Sequence, residues 1–223
     1  MDVGILGGTG PAGSGLAARL AAAGFRVVVG SRDENRAREA CATIQAAWPG
    51  RELWLEGRDN VGAAGAELVV IATPWDSAAA TASSLAKHLD GKAVISMANA
   101  LARVGDEFVA LALPRGSVAA HVQAAAPGAL VAAAFQHLPA RSLARLDSPL
   151  TGDVLVCSDH EAAWEATAGL IDGMGGLRPI RAGSLSAATP VEAMTAVLLE
   201  INTRYRTRAG VRLTGIRLPA PPA

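Results

Sequence analysis

The sequence predicts an α/β fold: a Rossmann-like, doubly wound, mainly parallel sheet with a small C-terminal α/β appendage. Three observations lead there. Short runs rich in valine and isoleucine alternate with longer alanine- and leucine-rich helical patterns, which is the rhythm of βαβ units. A glycine turn, Gly8-Thr9-Gly10-Pro11-Ala12-Gly13, follows the first apolar run directly and opens the first helical pattern. The 223 residues are 51% hydrophobic but only 4% aromatic, so the core must come from small aliphatic side chains that let helices lie close on a sheet.

Strands are expected at Val3–Leu6, Arg26–Val29, Glu67–Ala72, Ala93–Ser96 and Leu130–Phe135, each a bounded run of apolar, mostly β-branched or small residues. Weaker candidates are Val154–Cys157 and Arg178–Arg181, with a short extra strand at Trp54–Glu56. Helices fill Ala12–Ala23, Asp33–Ala47, Asp76–His88, Ser117–Ala126, Glu161–Gly173 and Pro190–Tyr205. Right-handed crossovers then wind the sheet in both directions. At Pro149-Leu150-Thr151-Gly152 the regular alternation gives way to two helices and short strands. The expected division is a Rossmann domain over 1–150, a small C-terminal domain over 151–217 and a disordered tail over 218–223. The second unit is too small for a large core of its own and must pack on the first or on a second subunit.

Composition excludes several functions. Twenty basic residues balance twenty acidic ones, which leaves no electrostatic footprint for nucleic acid. No apolar run approaches the roughly 20 residues that span a bilayer. The alanine-rich stretch from Ser117 to Phe135 is broken by His121, Gln123, Pro127 and Gly128. The N-terminus lacks a positive region and enters the glycine turn at once, so no signal peptide is read and a cytoplasmic location is expected. Cys41 and Cys157 lie far apart in apolar surroundings and read as packing residues, with no metal-ligand spacing.

In the glycine turn, Gly8 allows the tight bend, Gly10 lets backbone approach a pyrophosphate and Gly13 lets helix and strand pack closely. The helix N-terminus then offers free N–H groups to the anion, and Pro11 suits the first turn because its missing N–H has no partner there. The second strand ends in Val29-Gly30-Ser31-Arg32, with no carboxylate where an NAD enzyme holds both ribose hydroxyls. Ser31 and Arg32, with Arg36 four residues on, favour the extra phosphate of NADP, the two arginines facing it from one helical face. Ser31-Arg32-Asp33-Glu34 also reads as a capping box, with Ser31 as N-cap and Glu34 reaching back.

Reacting groups in such folds gather beyond the carboxyl ends of the strands. Three strand ends carry candidates: Thr73-Pro74-Trp75, where proline stops the strand and the indole offers a flat surface; Asn99 and Leu101; and Gln136-His137-Leu138. Only two lysines exist, Lys87 and Lys92, at the far end of the sheet, and Tyr205 is the only tyrosine. His88, His121 and His160 have no charged partner at a meaningful spacing and read as surface residues. A redox reaction needing little acid–base help fits these absences, and hydride exchange between two bound cofactors is one.

Several segments together resemble one family: Leu6-Gly7-Gly8-Thr9-Gly10, Gly15-Leu16-Ala17, Val28 to Arg32, Thr73-Pro74-Trp75, Leu138-Pro139-Ala140, Gly176-Leu177-Arg178-Pro179, Ala182-Gly183 and the late helix from Val191 to Asn202. The chain is similar to the NADPH-dependent reductases of the deazaflavin coenzyme F420, the F420H2:NADP oxidoreductases. The resemblance implies an NADP domain, a small domain forming one wall of a deazaflavin cleft, a homodimer and no metal. By position, Gly8, Thr9, Gly10, Pro11 and Ala12 would hold the pyrophosphate, and Ser31, Arg32 and Arg36 the 2′-phosphate. Thr73, Pro74, Trp75, Asn99 and Leu101 would line the nicotinamide, while Gln136, His137 and Leu138 would border both rings. Gln136 or His137 would then be the catalytic group, orienting the pyrimidine edge of the deazaflavin and stabilising charge there. Some relatives read histidine and a small polar residue before the Leu-Pro-Ala turn where this chain has Gln136 and His137, and Ser96–Val104 lacks their proline.

Arg204, Arg206, Arg208, Arg212 and Arg217 either attract the acidic side chain of the deazaflavin or form a solvated helix end. The alternatives to the family reading are an NADP-dependent reductase of a small imine or carbonyl compound, and a module that binds NADP without turnover.

Overall fold

The computed structural model describes residues 1–216; the expected tail at 218–223 and Arg217 lie outside the described residues. In chain order the elements are β1 (Asp2–Leu6), α1 (Pro11–Ala22), β2 (Arg26–Ser31), α2 (Glu34–Ala47), β3 (Leu55–Asp59), α3 (Asn60–Ala64), β4 (Leu68–Ile71), α4 (Trp75–Ser84), α5 (Ala86–Leu89) and β5 (Ala93–Ser96). They continue with β6 (Leu101–Val104), β7 (Glu107–Ala110), α6 (Val118–Ala125), β8 (Leu130–Ala133), α7 (Ala140–Leu143), β9 (Gly152–Ser158), α8 (Glu161–Gly173), β10 (Leu177–Gly183) and, after a short 3₁₀ turn at Leu185–Ala187, α9 (Ala188–Tyr205).

Among the described residues one eight-stranded sheet runs in the order β10-β9-β8-β5-β4-β1-β2-β3. All its pairs are parallel except β8 with β9. The chain winds outward from β1 through β2 and β3 on one side and through β4, β5 and β8 on the other. The topological switch point therefore lies between β1 and β4, where a crevice opens beyond the strand ends. Strands buried on both faces need the near-continuous apolar runs the sequence shows.

Two apolar layers cover the sheet. Leu16 and Leu20 of α1, Ala37 and Ile44 of α2, Leu143 of α7 and Leu170 and Ile171 of α8 pack one face. Ala63 of α3, Ala78 and Ala82 of α4, Val118 and Val122 of α6 and Val191 of α9 pack the other. Residues beyond 150 add β9 and β10 to the same sheet. The buried carboxylate of Asp153 joins that edge to the segment after α9: it receives two hydrogen bonds from Arg178, at 2.6 and 2.8 Å, and one from Leu213 N at 2.6 Å. The guanidinium holds this carboxyl below its usual range. No helix of the described residues is long and apolar enough to cross a membrane.

Several elements differ from expectation. The helix expected at Asp76–His88 breaks at Leu85 into α4 and α5. The strand expected to reach Phe135 stops at Ala133, because Phe135 takes a left-handed conformation at φ 69°. The strand suspected at Trp54–Glu56 is β3, shifted to Leu55–Asp59. The hairpin of β6 and β7 is an addition; its four-residue strands pair only with each other around Gly105 at φ 61°. The capping box does not form. β2 runs through Ser31, so α2 starts later with Asp33 as N-cap, accepting from Asn35 N at 2.9 Å, and Glu34 pairs with Arg38 instead. Arg32 accordingly lies ahead of the helix rather than on one face with Arg36.

A buried arginine anchors α1. Arg19 donates to the carbonyls of Ser142 at 2.8 Å, Leu143 and Ser148 at 3.2 Å, and also Arg145, with no carboxylate within 4.0 Å among the described residues. These are carbonyls of α7 and the turn after it, which a four-residue helix cannot satisfy internally. We expect Arg19→Met to destabilise the fold by about 2–4 kcal/mol, and Arg19→Lys to recover only part, because an ammonium cannot reach all four acceptors. Urea unfolding of the two variants checks this, and unchanged midpoints would contradict it.

Candidate active site

The crevice begins at the turn after β1. Gly7 sits at φ 70°, and a Cβ there would lie 2.6 Å from Thr73 Cγ2, so the turns after β1 and β4 touch. A Cβ on Gly13 would lie 2.8 Å from Gly8 Cα, which is why α1 can start so close to the sheet. Gly10 differs: a Cβ there would meet nothing nearer than Gly7 O at 3.7 Å. Gly10 is the N-cap of α1 with no side-chain cap, and Pro11 follows. The first-turn N–H groups of Ala12 and Gly13 therefore face an open concavity at the positive end of a helix, which fits a pyrophosphate.

At the end of β2, Ser31 is buried and its Oγ accepts from Asp33 N at 3.3 Å. Arg32 and Arg36 are exposed, and neither has a carboxylate within 4.0 Å among the described residues, whereas the neighbouring Arg38 is paired with Glu34. Two guanidinium groups without a carboxylate partner, near a hydroxyl that accepts from Asp33 N and keeps its own proton to donate, suit an additional phosphate on the adenine ribose.

At the other end of the crevice the strand ends line up. The ladder continues one residue beyond the strands, with Ala72 N on Leu6 O at 2.9 Å, Met97 N on Ile71 O at 3.2 Å and Ala134 N on Ser96 O at 3.2 Å. Beyond them Pro74 caps α4, and Trp75 packs partly buried against the α3–α6 layer. The left-handed Phe135 turns the chain so that the Gln136 carbonyl accepts from Asn99 Nδ2 at 2.9 Å and from Thr195 Oγ1 on α9 at 3.2 Å. Gln136 is 5% exposed, and neither end of its amide has a partner; Thr73 Oγ1, Ser96 Oγ and His137 Nδ1 are likewise unpartnered. Buried polar atoms without partners are costly, and Asn60 Oδ1 on α3 and Thr167 Oγ1 on α8 are two more.

His137 is engaged differently. It is 2% exposed, and its Nε2 lies 3.0 Å from Asp153 O and 3.4 Å from Leu155 N on β9. Burial pushes its pKa down, so the ring is neutral near pH 7. This imidazole fastens β8 to β9. Leu138 lines a cavity of about 360 Å³ with Pro139, Leu198, Leu199, Asn202 and Arg208. Of the C-terminal arginines among the described residues, Arg208 alone lines it; Arg204, Arg206 and Arg212 are exposed elsewhere. Leu101 starts β6, and a smaller cavity of about 140 Å³ lies between the segment that follows the hairpin, from Ala110 to Gly116, and α9. Among the described residues no three His, Cys, Asp or Glu side chains cluster as metal ligands do.

Sequence reasoning missed Thr195 and Glu192. Glu192 carries a readable signal, a charged residue in register with Ala188, Val191 and Ala196 on the buried face of a helix. Thr195 carries none, since a threonine in a helix is usually a neutral filler.

Fold and crevice define a dinucleotide-binding oxidoreductase of the doubly wound class. The family model described as NADP oxidoreductase, coenzyme F420-dependent, matches residues 2–100. The F420-dependent NADP reductase of Methanocaldococcus jannaschii is 34% identical over 224 residues, 98% of this chain and 100% of the relative. That of Methanothermobacter thermautotrophicus is 34% identical over 226 residues, 97% and 96% of the two chains. The chain belongs to the F420-dependent NADP oxidoreductase family. Its fold matches the solved structure of an Arthrobacter protein proposed to be an F420-dependent NADP reductase, with a TM-score of 0.82 over 96% of this chain and 99% of that one at 23% identity.

The two glycine positions separate binding from folding. Gly10→Ala should weaken NADPH binding about tenfold with an unchanged melting temperature, because its Cβ enters only the open cradle. Gly13→Ala should lower the melting temperature, because its Cβ meets backbone. Isothermal titration and thermal melts of both variants check the contrast, and equal melting losses would contradict it.

Proposed function

We propose that this chain transfers a hydride between NADP(H) and coenzyme F420, in a crevice that runs from the Gly8–Gly13 turn to Gln136. The observation that carries this reading is the unpartnered, buried amide of Gln136 beyond β8, on the same carboxyl edge of the sheet as the glycine cradle beyond β1. NADPH supplies a hydride and the deazaflavin accepts it at a ring carbon, so the protein contributes placement rather than proton relay.

The residues divide the work. First-turn N–H groups of α1, with Gly8, Thr9, Gly10, Pro11 and Ala12 as the surface, hold the pyrophosphate. Ser31, Arg32 and Arg36 hold the 2′-phosphate. Thr73, Pro74, Trp75, Asn99 and Leu101 line the nicotinamide side. Gln136 is the group placed to orient the deazaflavin, through hydrogen bonds its amide lacks within the protein. His137 serves by holding the main chain of Gln136 against β9, and Leu138 contributes an apolar wall. Arg208 and Arg141 line the larger cavity and suit an acidic cofactor side chain.

Residues 1–150 thus carry the NADP site and the Gln136 side of the deazaflavin cleft, and residues 151–217 supply α9 as its other wall. The exposed apolar face of α9, with Val197 and Tyr205, supports association as a homodimer. The balanced charge supports small-molecule rather than nucleic-acid partners.

Stopped-flow mixing of protein, NADPH and oxidised F420 should show nicotinamide absorbance lost in step with deazaflavin reduction. NADPH bound without exchange would favour a sensing module, and turnover of an imine or carbonyl instead would favour the other reductase. Replacing both Arg32 and Arg36 by alanine should raise the NADPH Michaelis constant about tenfold or more while leaving that for NADH unchanged, since each guanidinium acts on the 2′-phosphate alone. Steady-state kinetics with both nucleotides checks this.

A further inference from the structure

Glu192 is a charged group that the hydride-transfer reading leaves unused. It lies on the buried face of α9 at 5% exposure, in the wall of the smaller cavity. Its Oε2 accepts from Val118 N at 2.8 Å and its Oε1 from Ala119 N at 3.1 Å. These belong to the first turn of α6, whose N–H groups have no partner inside the helix, and Ser117 Oγ takes the next one, Ala120 N, at 3.0 Å. No Lys, Arg or His nitrogen lies within 4.0 Å of the carboxylate among the described residues. Burial pushes its carboxyl up to about 7, so the molecule keeps an acid here against a real desolvation cost.

The geometry on α9 gives that acid a purpose. Thr195, one turn further along, donates to the Gln136 carbonyl at 3.2 Å. Glu200, beyond it, accepts from Phe108 N of β7 at 3.1 Å. One helix is thus bonded in sequence to α6, to the strand-end residue and to the hairpin. Two carboxylate oxygens on two consecutive N–H groups resist both sliding and rotation of α9. A slip of one residue along the axis, about 1.5 Å, would carry Thr195 Oγ1 out of hydrogen-bond range of Gln136.

We propose that Glu192 is a positioning residue for the deazaflavin side of the crevice: by bridging α9 to the first turn of α6, it sets the register that brings Thr195 onto the Gln136 carbonyl. The proposal rests on the hydride-transfer reading for its kinetic consequence, but not for its structural one. It acts through main chain and helix placement and touches neither cofactor's phosphates.

Two substitutions and two readouts test it. Glu192→Ala should raise the Michaelis constant for F420 about tenfold, with that for NADPH unchanged, since small misplacements at a reacting centre are costly. Glu192→Gln, which keeps the size and one acceptor oxygen, should restore most of the loss. Hydrogen exchange read by mass spectrometry should show Glu192→Ala accelerating exchange both at 117–121 and at 134–139. If alanine does not yield folded protein, the glutamine variant must show the same two regions responding together, to a smaller degree. Faster exchange confined to 117–121, or Michaelis constants for both cofactors rising together, would overturn the proposal. Wild-type protein without deazaflavin turnover would instead refute the hydride-transfer reading, with the exchange data still deciding whether Glu192 governs the register at Gln136.

Discussion

The carbonyl oxygen of Gln136 accepts hydrogen bonds from Asn99 Nδ2 and Thr195 Oγ1, and through them three segments remote in sequence meet at one point. The meeting depends on Phe135, whose left-handed backbone ends β8 and turns the next residue across the strand ends. It depends as well on His137, whose imidazole reaches the main chain of β9 and keeps the turn from swinging away. With main chain fixed on both sides, the Gln136 amide is held in place without partners of its own. A side chain so constrained is ready for a ligand at little further entropic cost, which is how a site with few acid–base groups can still catalyse.

The charged residues of this electrically balanced chain follow a common plan. Arg19, Glu192 and the Asp153–Arg178 pair are the charges that the fold draws inward. Each binds main chain: Arg19 the carbonyls of and after α7, Glu192 the N–H groups opening α6, and Asp153, besides its ion pair with Arg178, the amide of Leu213 in the segment after α9. Helix termini and loop backbone supply the partial charges that counter-ions would otherwise provide. Arg32 and Arg36, which have no carboxylate within 4.0 Å among the described residues, follow β2 on the exposed surface, where a phosphate group would complete them.

Much of this was legible in the sequence, and the reasons differ by element. β1, β2, β4 and β5 are apolar runs bounded by turns, and their sheet is parallel and buried, so composition alone marks them. The Gly8–Gly13 spacing marks the cradle because the backbone there tolerates no other chemistry at Gly7 and Gly13. The β6–β7 hairpin escaped because its strands are four residues long, half exposed and paired only with each other. The start of α2 was misjudged because Ser31 and Asp33 both make acceptable caps, and only the extension of β2 against β3 decides between them. At the candidate site, Asn99, Gln136 and His137 could be named from their places after strands. That Gln136 would keep a free amide while His137 turned its Nε2 to β9 depends on which way each side chain leaves a left-handed turn, and no local pattern encodes that.

In the proposed function two cofactor rings meet beside Gln136 and exchange a hydride directly. Single-turnover reduction of F420 by NADPH carrying deuterium at the reacting nicotinamide carbon, followed by mass spectrometry of the reduced deazaflavin, tests it most directly. Direct transfer retains the deuterium in the product, even in ordinary water. Reduced deazaflavin carrying only solvent hydrogen would contradict the account.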